Sequence, residues 1–356
     1  MTAVTRALAV ATLWKMSFLG RLRGKADRHA RARAGLPYDM FELTAGRADR
    51  EARRARRLES IYHVGQERIW DGRAVLAALV EQHGRPQLPE RERKALSRIF
   101  SIIMWGELAA WKISAQLSDR LVELEPKLAA ASQVHDEARH FYVMHDYLAL
   151  LGHEPPPMDF WSRRVVEMTL GTSDLTKKLL GMQLTIETIA LTLFQHVREL
   201  RVEPVLADLL PYYEKDEARH VGLGTQLVPA LIANMPIPQR IGVALFQLEL
   251  LASSVFSLKA MEDDLLTIGV DPREILAIGF RKHMEIHEAM RKDFPAWPDD
   301  PPVNKLFHGL CELLFPSEGR AANVPVSTRF VNAVGVVRRT REGVLEVADR
   351  ARAAAE

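Results

Sequence analysis

Apolar and polar positions follow a helical period along most of the chain, and strand-like alternation at every second residue is nearly absent. Residues 61–84 form an amphipathic stretch that includes Trp70, Val75, Leu76 and Leu79 and is stopped by Gly84 and Pro86. Four long helices are predicted next, over residues 90–117, 126–151, 173–201 and 204–228, with a short helical piece at 161–170. Pro126 and Pro204 fall in first helical turns, where the missing N–H removes no intrahelical bond. Two more apolar helices are expected at 237–268 and 271–294. The predicted fold class is therefore all-α. Residues 1–60 read as a basic helical arm and 61–230 as the main bundle with its preceding short helix. Residues 231–295 read as packing helices and 296–356 as a C-terminal tail.

Composition narrows the classes. The 356 residues are 47% hydrophobic and 26% charged, enough apolar material for a sizeable core. A net charge of +2 gives no basis for nucleic-acid binding. The run 47–57 mixes arginines with Asp49 and Glu51 and reads as a solvated helix face. The apolar stretch 7–20 is too short for a membrane span, and its positive charge follows it, opposite to a signal peptide. A cytoplasmic location is expected. Residues 4–23 set Leu8, Leu13, Trp14 and Phe18 among Arg6, Lys15, Arg21 and Arg23. Such a basic amphipathic helix can lie in a membrane interface, pack on a second subunit of a homodimer, or cap the bundle. The single cysteine, Cys311, excludes an intramolecular disulfide and any cysteine-based metal cluster. Metal ligands would have to be His, Asp and Glu, a set that suits iron, manganese or zinc. His283 and His287 have metal-ligand spacing but no third ligand nearby.

An internal repeat carries the chemistry. Asp-Glu-Ala-Arg-His occurs twice, at Asp136-Glu137-Ala138-Arg139-His140 and at Asp216-Glu217-Ala218-Arg219-His220. Thirty positions before Glu137 stands Glu107, and thirty before Glu217 stands Glu187, each in an apolar helix. Similar turns, Leu124-Glu125-Pro126 and Val202-Glu203-Pro204, lie between. In an antiparallel hairpin this spacing sets each pair level, roughly 20 Å from the turn. Glu and His three apart project from one side of a helix. Two such hairpins bring Glu107, Glu137, His140, Glu187, Glu217 and His220 to one level. Four ionised carboxylates in an apolar interior are very costly, and two divalent cations would neutralise them. Asp136 and Asp216 are expected to orient the histidines across the bundle, Asp136 on His220 and Asp216 on His140. Tyr213, one turn before Glu217, can be a hydrogen-bond donor near the metals or a packing residue.

These residues resemble the ferritin-like di-iron carboxylate superfamily. Within it, the chain looks like the oxygen-activating branch of ribonucleotide reductase small subunits, bacterial multicomponent monooxygenases and acyl carrier protein desaturases. The resemblance covers about residues 90–230. It departs from each family: Leu191 replaces an active-site threonine, Tyr213 an additional histidine ligand, and Glu107 an aspartate. The resemblance implies a four-helix bundle with a long crossover and two irons, or a manganese–iron pair, held by the six residues. It implies an oxidase or monooxygenase with Glu107, Glu137, Glu187 and Glu217 at the catalytic centre and O2 as co-substrate. An apolar or lipid-like organic substrate would enter beside Met104, Trp105, Trp111, Met182, Gln183 and Leu191. No flavin or iron–sulfur motif is present, so electrons would come from a separate reductase or ferredoxin. Ferroxidase, iron-handling or peroxide-removing activity is the alternative.

Overall fold

A computed structural model of the chain describes residues 56–152, 154–233, 235–293 and 302–338. The described residues are helical with no β-strand. Residues 1–55 and 339–356 lie outside them, and with them the expected membrane or subunit contact of the N-terminal arm.

Two short helices open the described chain, α1 (Arg56–Glu67) and α2 (Gly72–His83). The sequence pattern predicts one stretch here. It is divided because Asp71 caps α2, accepting from the backbone N–H of Arg73 and Ala74, and because Trp70 turns inward. The long helices α3 (Glu90–Arg120) and α4 (Leu124–Leu150) then pack along their lengths as a hairpin. The crossover holds α5 (Phe160–Gly171), capped by Asp159 on the N–H of Trp161 and Ser162. A second long helical run follows in three pieces: α6 (Leu175–Leu179), a π-helical segment (Leu180–Ile186) and α7 (Glu187–Leu200). It pairs with α8 (Pro204–Ala233). Beyond these lie α9 (Ile237–Ala260), α10 (Glu262–Thr267), α11 (Pro272–Asp293), α12 (Pro302–Leu314) and α13 (Val326–Arg338). The predicted helix 237–268 is broken at Met261, whose backbone leaves helical geometry. The segment read as a C-terminal tail, 296–356, supplies α12 and α13.

The core explains where the polar residues sit. One apolar cluster gathers Phe100, Met104, Tyr147, Phe194, Leu206 and Leu210. A second gathers Ile113, Leu117, Ala130, Leu179, Met182 and Leu223. Each long helix crosses from one cluster to the other, and the residues at the crossing are Glu107, Glu137, His140, Glu187, Glu217 and His220. Burying each large apolar side chain contributes about 1.5–3 kcal/mol, so the two clusters clamp the polar layer from both ends. Phe100 and Phe194 stack with ring centroids 6.4 Å apart. One lies seven residues before Glu107 and the other seven after Glu187, so α3 and α7 run antiparallel past each other.

Helix α8 approaches the π segment closely at Gly224. A Cβ built there would lie 2.6 Å from the Gln183 Cβ and 2.8 Å from Leu184 Cδ2. Gly224→Val is therefore expected to destabilise the fold by about 1–3 kcal/mol, as overpacking does, read as a lower denaturation midpoint at unchanged slope. Helix α9 is long and apolar enough to cross a membrane by length and composition alone. One face of it, with Val243, Leu250 and Val255, is buried, while Ile237, Ile241 and Leu245 are exposed.

Candidate metal centre

The six residues of the repeat converge as two overlapping groups. Glu107, Glu137, His140 and Glu217 each place a ligand atom within 4.8 Å of the others, and so do Glu137, Glu187, Glu217 and His220. Glu137 and Glu217 belong to both groups and are fully buried. They stand where bridging carboxylates would stand between two cations. His140 Nδ1 lies 3.1 Å from Glu217, 3.4 Å from Glu137 and 3.6 Å from Glu107. His220 Nδ1 lies 2.9 Å from Glu217, 3.2 Å from Glu137 and 3.7 Å from Glu187.

The donor set fits metal on three counts. Glu137 Oε2, His140 Nδ1 and Glu217 Oε1 are buried with no hydrogen-bond partner, although they face one another. Unsatisfied buried acceptors are rare and call for an occupant. Second, each histidine turns its other nitrogen to a carboxylate: His140 Nε2 is 3.1 Å from Asp216, and His220 Nε2 is 3.4 Å from Asp136. A proton held on Nε2 leaves the Nδ1 lone pair directed at the cluster. Third, the charge balance is strained without cations. Burial pushes the carboxyls of Glu107 and Glu187 well above the usual carboxylate range. Burial also acts on Glu217, but the charges of His220 and His140 hold it below that range. Burial works against protonating His220, yet Glu137 and Glu217 raise it to about 10. Protons thus take the place of metal, and metal binding must release them.

Around the ligands lies a nearly two-fold salt-bridge cage. Arg139 donates to Asp136 at 2.7 Å and to Asp216 at 2.8 Å. Arg219 reaches Asp136 and Asp216, each at 2.8 Å. Burial opposes ionising Asp136 and Asp216, but the bonded histidines win and keep both carboxylates low and charged. Trp70 Nε1–H donates to Asp216 at 2.9 Å, on one side only. Tyr213 does not point at the cluster. Its hydroxyl donates to the His140 carbonyl at 2.8 Å and its ring stacks on His140 at 4.3 Å. Gln133, one turn before Glu137, donates to Glu137 and Glu187, both at 2.7 Å, and accepts from Gln183 at 2.7 Å. The repeat could have revealed Gln133, since it occupies the position that Tyr213 holds in the other half. No local sequence signal links Trp70 to Asp216. Asp136→Asn or Asp216→Asn is expected to weaken metal binding about 10–100-fold, measured by chelator competition.

A cavity of about 200 Å³ reaches Glu107 and Glu187 from the side of α3 and α7. Its wall is mostly apolar, with Ile99, Ile103, Ala110, Met182, Leu193 and Leu258. Of the six residues expected to line it, Met182 does. Met104 is buried in the core on the other edge of the Glu107 stripe. Trp105 is tied by Nε1 to the Pro156 carbonyl at 2.8 Å. Trp111 is 42% exposed. Gln183 donates to Gln133 instead, on the side where Glu187 also meets Gln133. Leu191 is partly buried outside the cavity wall. The wall also includes His283 and Asn304, which the metal-site reading did not use. A comparison with models of known protein families and with curated proteins finds no match. What the site can do therefore follows from its own geometry.

Proposed function

We propose that the protein is a ferritin-like, O2-dependent di-iron oxidase or monooxygenase acting on an apolar organic substrate. The observation that supports this most is the cavity that reaches Glu107 and Glu187, the two glutamates belonging to one metal group each. When bound, two irons, or a manganese–iron pair, would supply O2 activation and the oxidation of an unactivated C–H or N–H bond. The chain's own residues do the rest. Glu137 and Glu217 would hold the pair together, His140 and His220 would complete the two groups, and Asp216 and Asp136 orient the imidazoles. The apolar wall excludes water from the glutamates on the substrate side, which strengthens every charge interaction there. Electrons would come from a separate reductase or ferredoxin.

Iron oxidation for storage would use the same ligands but needs a polar path for hydrated ions. The apolar cavity wall favours an organic substrate over that use. Iron-loaded protein supplied with a reductant and an apolar substrate is expected to consume O2 in step with an oxygenated or dehydrogenated product. Uptake of O2 that tracks added Fe(II) alone, with assembly into a hollow cage, would favour the iron-handling alternative.

A further inference from the structure

Most polar side chains in the cavity wall are already engaged. The hydroxyls of Ser162 and Ser257 bond each other at 2.6 Å, and Ser254 donates to the Leu250 carbonyl at 2.9 Å. Thr185 donates to Leu180 at 3.1 Å and Thr192 to Thr188 at 2.7 Å. Three groups retain capacity. Thr188 Oγ1, beside Glu187, is buried with no partner. His283 uses one ring nitrogen on Asn304 Oδ1 at 3.3 Å. Asn304 is buried, and its amide N–H meets only the Met284 sulfur at 3.9 Å, a weak acceptor.

The placement of these groups sets the ligand's polarity. A Cβ added at Gly279, one turn before His283, would lie 3.9 Å from Thr192 Oγ1. Thr192 is five residues beyond Glu187, about 7–8 Å along α7 at 1.5 Å per residue. The α11–α12 end is therefore displaced along the cavity from the glutamates. Nothing cationic complements an anion there, because no lysine or arginine is among the described wall residues. Burial pushes the His283 imidazole below its ordinary value, against a smaller opposing effect of Asn304, so the ring stays neutral at neutral pH. The volume bounds size: a dry cavity of about 150 Å³ holds benzene, so 200 Å³ suits a body of about eight non-hydrogen atoms.

Resting on the oxidase reading, we propose that the substrate is an uncharged amphiphile. Its apolar body lies along α3 and α7, and a hydroxyl- or amide-like group is read by His283 and Asn304. The neutral imidazole and the amide N–H offer both acceptor and donor to such a group.

The test uses the full chain and three probes that fit this size: toluene, benzyl alcohol and benzoate. Affinities are measured by calorimetry or ligand-observed NMR, with metal content assayed on the same samples. Wild type is expected to bind the alcohol at least about tenfold more tightly than the carboxylate, for which the wall offers no cation. His283→Phe is expected to cut alcohol affinity about fivefold, the worth of one hydrogen bond, while toluene changes less than about twofold. Asn304→Leu serves as the second variant should His283→Phe not fold, with the same expectation. The inference is overturned if no probe binds wild type or if the carboxylate binds best. It is equally overturned if the folded variant leaves the alcohol-to-hydrocarbon ratio unchanged. Metal-loaded protein giving any of these results leaves the metal centre standing. Protein that takes no metal yet reads the alcohol through His283 overturns the oxidase reading alone.

Discussion

Glu137→Ala and Glu217→Ala are each expected to abolish the binding of both metal ions, whereas Glu107→Ala and Glu187→Ala should each spare one. The asymmetry follows from sharing. Glu137 and Glu217 appear in both ligand groups, while Glu107 completes one and Glu187 the other. Removing a shared carboxylate takes a ligand from each cation and also removes the charge that lets the two sit side by side. Removing an unshared one leaves the far group with all four of its residues. Metal analysis of the four variants, produced with ample iron, checks this. Equal loss in all four would mean that the groups are not two separable sites. No loss in any would mean that the cluster is not a metal site.

Metal removal is expected to have the second largest effect, lowering the melting temperature by on the order of 10 °C. A cation that binds only the folded state stabilises it by about 4 kcal/mol at a thousandfold excess over Kd, and each kcal/mol moves a domain of this size about 2–4 °C. The metal-free protein should also depend on pH with a definite sign. His220 is raised from 6.5 to about 10 in the folded state. Its contribution is fully present below about pH 6.5, the unfolded value, and is lost as pH rises towards 10. Glu107 and Glu187, raised by burial, act in the same direction. Metal-free protein should therefore melt lower at pH 9 than at pH 7. The metal-loaded form should resist that loss, because cations rather than protons neutralise the cluster. Scanning calorimetry of both forms at the two pH values is the check. Identical melting curves with and without metal would count against a buried site.

Much of the helical layout was legible because period and spacing report directly on it. The thirty-residue separation places Glu107 and Glu137 level only if a tight hairpin joins their helices, and α3 and α4 form one. The same holds for Glu187 and Glu217. What failed to show was anything that depends on a change of local geometry or on contact between distant segments. The π turn at Leu180–Ile186 has no signature in the apolar pattern, and Gln183 within it bonds Gln133 rather than lining the cavity. Trp70 meets Asp216 across 146 residues of chain, a pairing that no periodicity announces. His283 and Asn304 share the cavity wall because α12 packs near α11, and α12 lies in a segment read only as a C-terminal tail. The cavity lining was misread for a related reason. Nearness in sequence to a ligand does not decide which side of the ligand a residue faces, as Met104 and Trp111 illustrate.

The most direct test of the central claim is an anomalous difference map of metal-loaded crystals, recorded on both sides of the iron edge. Two peaks are predicted, one bounded by Glu107, Glu137, His140 and Glu217 and the other by Glu137, Glu187, Glu217 and His220. Their separation should be about 3.5–4 Å, as in carboxylate-bridged two-metal sites. A map without a peak in this layer, in crystals of protein that folds and was supplied with metal, would contradict the account.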